Sequence, residues 1–153
     1  FVCSIIAHSF VYIKNNKQRQ QYTRLVRNVK KTLPIAKEVN RAIIETYEFL
    51  QTLPDEKARQ KHLNAVEKSV KEQYTPRMKK LTFAQGKLLI KLINRETDSS
   101  SFELVKAFLG PFKAGFYQAF AAIFGASLKK EYHPEGEDAM VEQIVLLVES
   151  GQI

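Results

Sequence analysis

Apolar residues recur at steps of four and three from Tyr22 through Val26, Val29, Leu33 and Ala36. After a polar Asn40 on the same seam they resume at Ile43, Tyr47 and Leu50. A strand cannot hold that period, because its side chains change face at every residue. The spacing predicts one amphipathic helix of roughly thirty residues, the feature around which the rest of the chain must fold. Pro34 lies inside it and removes one backbone donor. The apolar phase passes through Pro34 without a slip, which reads as a kink rather than a break. Asn40 has two readings: a polar seam residue that sets the register of packing helices, or a partly exposed Asn, which is the favoured one.

Beyond Leu50 the chain reads as helices separated by short stops. Pro54 is expected in the first turn of the next helix, with Asp55 and Glu56 suited to its N-terminal dipole. Leu63, Val66, Val70 and Tyr74 make its stripe, and Pro76 is expected to interrupt it. Thr82 and Gln85 form a capping box that opens FAQGKLLIKLINRET. Ser100 and Glu103 suggest a second box opening a short helix, FELVKAFL. Gly110-Pro111 is expected to break that helix, and FKAGFYQAFAAIF to start another ending at a left-handed Gly125. A terminal helix is expected from Pro134, followed by Gly151. Phe112, Phe116, Phe120 and Phe124 repeat every four residues and read as helix core. The most apolar helices, around residues 83–124, are expected to form the centre.

The first thirteen residues, FVCSIIAHSFVYI, are apolar and rich in β-branched and aromatic side chains, which favours an extended segment. They are too short to span a bilayer, which takes roughly 20 apolar residues. No basic leader precedes them and no small-residue cleavage site follows, so no intact signal peptide is expected here. Cys3 is the one cysteine, which leaves no disulfide within the chain and no cysteine-based zinc site. The 153 residues are expected to form a single domain, with an extended or short-strand arm over 1–13 and a helical body over 14–153. The fold class is mainly α, with six or seven helices.

Charge is unevenly spread. Residues 1–40 hold eight Lys or Arg against one acid, whereas residues 101–153 hold four against seven. Such a layout suits either a polyanion-binding face or two halves that attract each other. Lys17, Arg24 and Lys31 recur every seven residues away from the apolar seam. With Arg27 they make a basic stripe able to neutralise phosphates. Aromatic platforms for single strands are missing, since Tyr22 is on the seam. Lys87, Lys91 and Arg95 are four apart on one helix side. They read either as a site for an anion or as partners for the acids Glu131, Glu135, Glu137 and Asp138 of EYHPEGED. Those acids are expected in the first turn of the terminal helix, where its dipole favours negative charge. The segment has neither the alternating ligands of a calcium loop nor the nitrogen and sulfur donors of a zinc site. Adjacent acids on one turn are not two carboxylates facing across a cleft. Gln85-Gly86-Lys87 lacks the spacing of a phosphate loop, and Ser99–Ser101 lack a nucleophile elbow. No catalytic residue, cofactor or metal is assigned.

Four motifs, LVRNVKKTLPIAKEVN, LTFAQGKLLIKLINRET, SFELVKAFLGPFKAGFYQ and EYHPEGED, occur in this order. Together, over about Gln20 to the C-terminus, they resemble a Bacteroidetes family known as domain of unknown function 4294. The resemblance implies an exported protein of the periplasm or cell envelope and brings no activity, cofactor or partner. Two positions depart from the family pattern: Asn94 and His133 stand where members often carry Asp. The favoured function is a non-enzymatic, envelope-associated structural or protein-interaction module, with a protein partner preferred over nucleic acid and no transmembrane segment. One alternative is polyanion or nucleic-acid binding through the basic helix 14–41. The other is a hydrolase or metal-dependent enzyme at the acidic segment 131–138.

Overall fold

The computed structural model describes residues 14–98, 110–125 and 132–153 with their side chains, and residues 3–6, 9–12 and 109 by their backbone. The protein is mainly helical. Among the described residues there are five helices: α1 (Asn16–Leu50), α2 (Glu56–Met78), α3 (Phe83–Asp98), α4 (Leu109–Phe124) and α5 (Ala139–Glu149). Six or seven were expected. The short helix over FELVKAFL and its Ser100–Glu103 capping box fall almost wholly outside the described residues.

Helix α1 starts six residues before Tyr22. Asn15 is its cap, its side chain accepting from the Gln18 amide at 2.9 Å, and the Gln18 side chain reaches back to the Lys14 amide at 2.8 Å. The helix runs through Pro34 without a break. Val29, Ala36 and Ile43 are fully buried along the predicted seam, and Val39 is fully buried beside it. Asn40 on that seam is half-buried, as the favoured reading had it. Two further proline readings need correction. Pro54 precedes α2, whose cap is Asp55 accepting from the Ala58 amide at 2.7 Å. Pro76 lies inside α2, which continues to Met78. Tyr74 and Met78 are buried on either side of it, and that packing outweighs the roughly 3 kcal/mol cost of a helical proline. Gly110 and Pro111 lie within the first described turn of α4, and the helix they were expected to break falls almost wholly outside the described residues.

The Thr82–Gln85 capping box forms as predicted, with the Gln85 amide donating to Thr82 Oγ1 at 3.2 Å and the Thr82 amide to Gln85 Oε1 at 3.1 Å. Gln85 also donates to Asn28 Oδ1 at 3.0 Å, tying the start of α3 to α1. Gly125 ends α4 with φ of 66°, the left-handed conformation that favours glycine. The terminal helix begins at Ala139, five residues later than expected.

Helix α1 packs along α3 and beside α5, while α2 packs along α4. The two groups meet where α3 crosses α4. At Gly86 an added Cβ would come within 2.9 Å of the Phe124 ring. At Gly115 it would come within 2.8 Å of the Glu67 carbonyl of α2. One apolar cluster joins all five helices, including Tyr74, Phe112, Phe116 and Phe120. The Tyr74 and Phe116 rings lie 4.8 Å apart. The centre is therefore not confined to residues 83–124, because the middle of α1 is as deeply buried as α3. Phe124, expected as core, is only partly buried.

At the N-terminus, Cys3–Ile6 and Ser9–Tyr12 pair as antiparallel strands, Cys3 opposite Tyr12 and Ile6 opposite Ser9. Both lie beside α5. The segment expected as an extended or short-strand arm pairs its own backbone, which a lone extended strand leaves unsatisfied.

Candidate functional site

The segment 132–138 is a turn built on one carboxylate. Asp138 Oδ2 accepts from the His133 amide at 2.9 Å, and the Gly136 and Asp138 amides both return to the His133 carbonyl. Asp138 Oδ1 receives Lys91 Nζ at 2.6 Å. This carboxylate is buried, with 4% of its side chain exposed. Asp138 therefore closes the turn and anchors it to α3, and caps no amide of α5 with its side chain. The acids precede the terminal helix instead of forming its first turn. Pro134 starts the turn, which explains its place ahead of α5. Glu131 lies outside the described residues. Glu135 is exposed and forms no salt bridge among the described residues, and Glu137 meets Lys91 at 3.2 Å.

Four residues along α3 from Lys91, Arg95 gathers a second set of acids. Its Nε donates to Glu142 Oε2 at 2.7 Å and its Nη2 to Glu142 Oε1 at 3.2 Å, a two-pronged pair. It also reaches Glu96 at 2.8 Å and Glu149 at 3.2 Å. Tyr132 donates its hydroxyl to Glu142 at 2.6 Å. From α1, Lys37 reaches Glu149 at 2.7 Å and Glu96 at 3.4 Å. The cations Lys37, Lys91 and Arg95 thus bind three helices and the turn into one network.

Titration follows from this packing. Burial by itself lowers the Arg95 pKa, but the Glu142 hydrogen bond and the charges of Glu142, Glu149 and Glu96 carry it upward. Burial alone would raise Glu142; the Arg95 and Tyr132 hydrogen bonds outweigh it and hold that carboxyl below its ordinary value. Burial, then the Glu142 hydrogen bond, pushes the Tyr132 phenol well up. Burial opposes the charge on Lys91, and its bonds to Asp138 and Glu137 raise it nonetheless.

The Lys87–Lys91–Arg95 stripe therefore divides. Lys91 and Arg95 meet acids directly, and a small open pocket beside them is lined by Lys87, Lys91 and Asp138. Lys87 takes no part, its ammonium standing 5.5 Å from the Phe83 ring centroid. Sequence reasoning did not single out Tyr132, Glu142 or Glu149. A signal was present: Glu142 and Glu149 are seven residues apart on an apolar helix, the recurrence that marked Lys17, Arg24 and Lys31.

The basic stripe of α1 is arranged differently. Lys17, Arg24, Arg27, Lys30 and Lys31 are exposed. None of them forms a salt bridge among the described residues. Arg24 and Arg27 line a shallow groove with Arg19 and Thr23. Tyr22, the nearby aromatic ring, is buried. Among the described residues no group of three His, Cys, Asp or Glu is placed to hold a metal ion. No helix among them is long and apolar enough to cross a membrane.

These features define a helical protein with a self-paired ionic network and a cationic outer face that forms no salt bridge among the described residues. The chain belongs to the family described as Domain of unknown function (DUF4294), whose model matches residues 4–147. No curated protein and no solved structure matches it.

Proposed function

We propose that this chain is a non-enzymatic interaction module of the cell envelope, docking an acidic partner protein through the outer face of α1. The carrying observation is the contrast between its two sets of cations. Lys37, Lys91 and Arg95 are spent on the protein's own acids, so the segment 132–138 works as a strut. Lys17, Arg24, Arg27 and Lys31 form no salt bridge among the described residues and remain on one exposed face. From Lys17 to Lys31 that face is about 21 Å long at the 1.5 Å helical rise, a rod suited to an acidic helix or strand.

Two observations favour a protein over other polyanions. No exposed ring among these cations offers a stacking platform for bases. The apolar side of α1 is used in the core, and its exposed large apolar side chain, Phe49, lies at the far end from these cations, so they have no apolar face to insert into a lipid surface. The envelope location rests on the family resemblance.

The test compares poly-L-glutamate with a DNA duplex of matched charge by titration at several salt concentrations. Saturable binding to poly-L-glutamate is expected, falling with salt and weakened at least tenfold by the triple change Arg24→Ala, Arg27→Ala, Lys31→Ala. Absence of binding at low salt, or tighter binding to the duplex, overturns the reading.

A further inference from the structure

Around Pro34 an open groove of about 630 Å³ lies between α1, the end of α3 and the last turn of α5. Small-molecule sites have volumes of roughly 300–1,000 Å³. Leu33, Pro34 and Val148 supply its apolar part. Its charged side chains are Lys30, Lys37 and Arg41 against Glu96 and Glu149, an excess of one positive charge. The two acids are already held by Lys37 and Arg95. Lys30 and Arg41 are exposed and form no salt bridge among the described residues. They stand about three helical turns apart, one toward each end of the apolar floor.

The sequence explains why the wall opens here. Pro34 has no N–H, so the Lys30 carbonyl loses its helical partner. Asn40 interrupts the apolar seam at the groove wall.

We infer that this groove binds a small apolar carboxylate. Its hydrocarbon lies against Leu33, Pro34 and Val148, and its carboxylate takes Lys30 or Arg41, neither of which forms a salt bridge among the described residues. A single negative charge balances the groove's excess. An apolar chain needs the floor, which a bare inorganic anion does not use. This inference rests on the groove alone and does not require the partner surface formed by Lys17, Arg24 and Arg27.

Octanoate, titrated into the intact chain and followed by amide chemical shifts, tests it. Saturable shifts are expected at Leu33, Ile35, Val148 and Glu149. The double reversal Lys30→Glu, Arg41→Glu is expected to weaken binding tenfold or more. The matched reversal Lys17→Glu, Arg24→Glu, away from the groove, is expected to leave it within twofold. 1-Octanol, which lacks the charge, is expected to bind at least tenfold more weakly. Equal binding of octanol, shifts spread along the outer face of α1, equal losses in both double variants, or no saturable shift overturns the inference.

Discussion

Two acids of one short segment have different roles because only one is desolvated. Asp138 is buried between Lys91 and the His133 amide, while Glu135 faces water. Nothing in EYHPEGED marks that difference, since it depends on where α3 passes. Glu142 receives Arg95 twice and Tyr132 once. Its carboxyl is held below its ordinary value. A depressed acid adds stability that is fully present above the unfolded pKa and is lost as pH falls through the folded one. Glu142→Gln is therefore expected to cost about 1.5–3 kcal/mol at pH 7, the range for hydrogen bonds to charged groups. The gap from the unchanged protein should narrow below about pH 4, where the carboxyl protonates first in the unfolded chain, and close as the folded one follows. Urea melts at pH 7 and pH 3 check this, and a gap of equal size at both values contradicts it.

Helix positions and caps were largely readable because they depend on local chemistry. The seam of α1, the Thr82–Gln85 box and the Gly125 cap needed only spacing and side-chain type. Prolines were read less well. Pro76 is locally a helix breaker, and only the burial of Tyr74 and Met78 around it shows why α2 continues. Gly115 was equally silent. Its missing Cβ lets α4 approach the backbone of α2, where the Glu67 carbonyl would stand 2.8 Å from a methyl. In an open helix Gly→Ala stabilises by roughly 1 kcal/mol. Here Gly115→Ala is expected to destabilise by about 1–3 kcal/mol, since overpacking against a backbone atom outweighs propensity. A melting point at or above that of the unchanged protein contradicts this.

Across the molecule, the two ends of the charge asymmetry are treated differently. The acids of α5 attract Lys37 and Arg95, while the cations at the start of α1 find no acid among the described residues. Helix α1 consequently has a sheltered middle and an open start. Amides from Val29 to Ile43 are expected to exchange with solvent only on global unfolding, and those from Lys17 to Thr23 orders of magnitude faster. Hydrogen exchange resolved along α1 reads this directly, and uniform protection overturns it. What the sequence determined by itself was the helical class, the main seam, the Thr82–Gln85 box, the Gly125 cap and the basic stripe. Each follows from period, propensity and charge within a few turns of chain. Which cations would be neutralised, which acid would be buried and where α1 would border a groove were decided by the tertiary structure. Those outcomes depend on residues about fifty to more than a hundred positions apart meeting in a desolvated space, where a paired charge is held and an unpaired one is driven back to water.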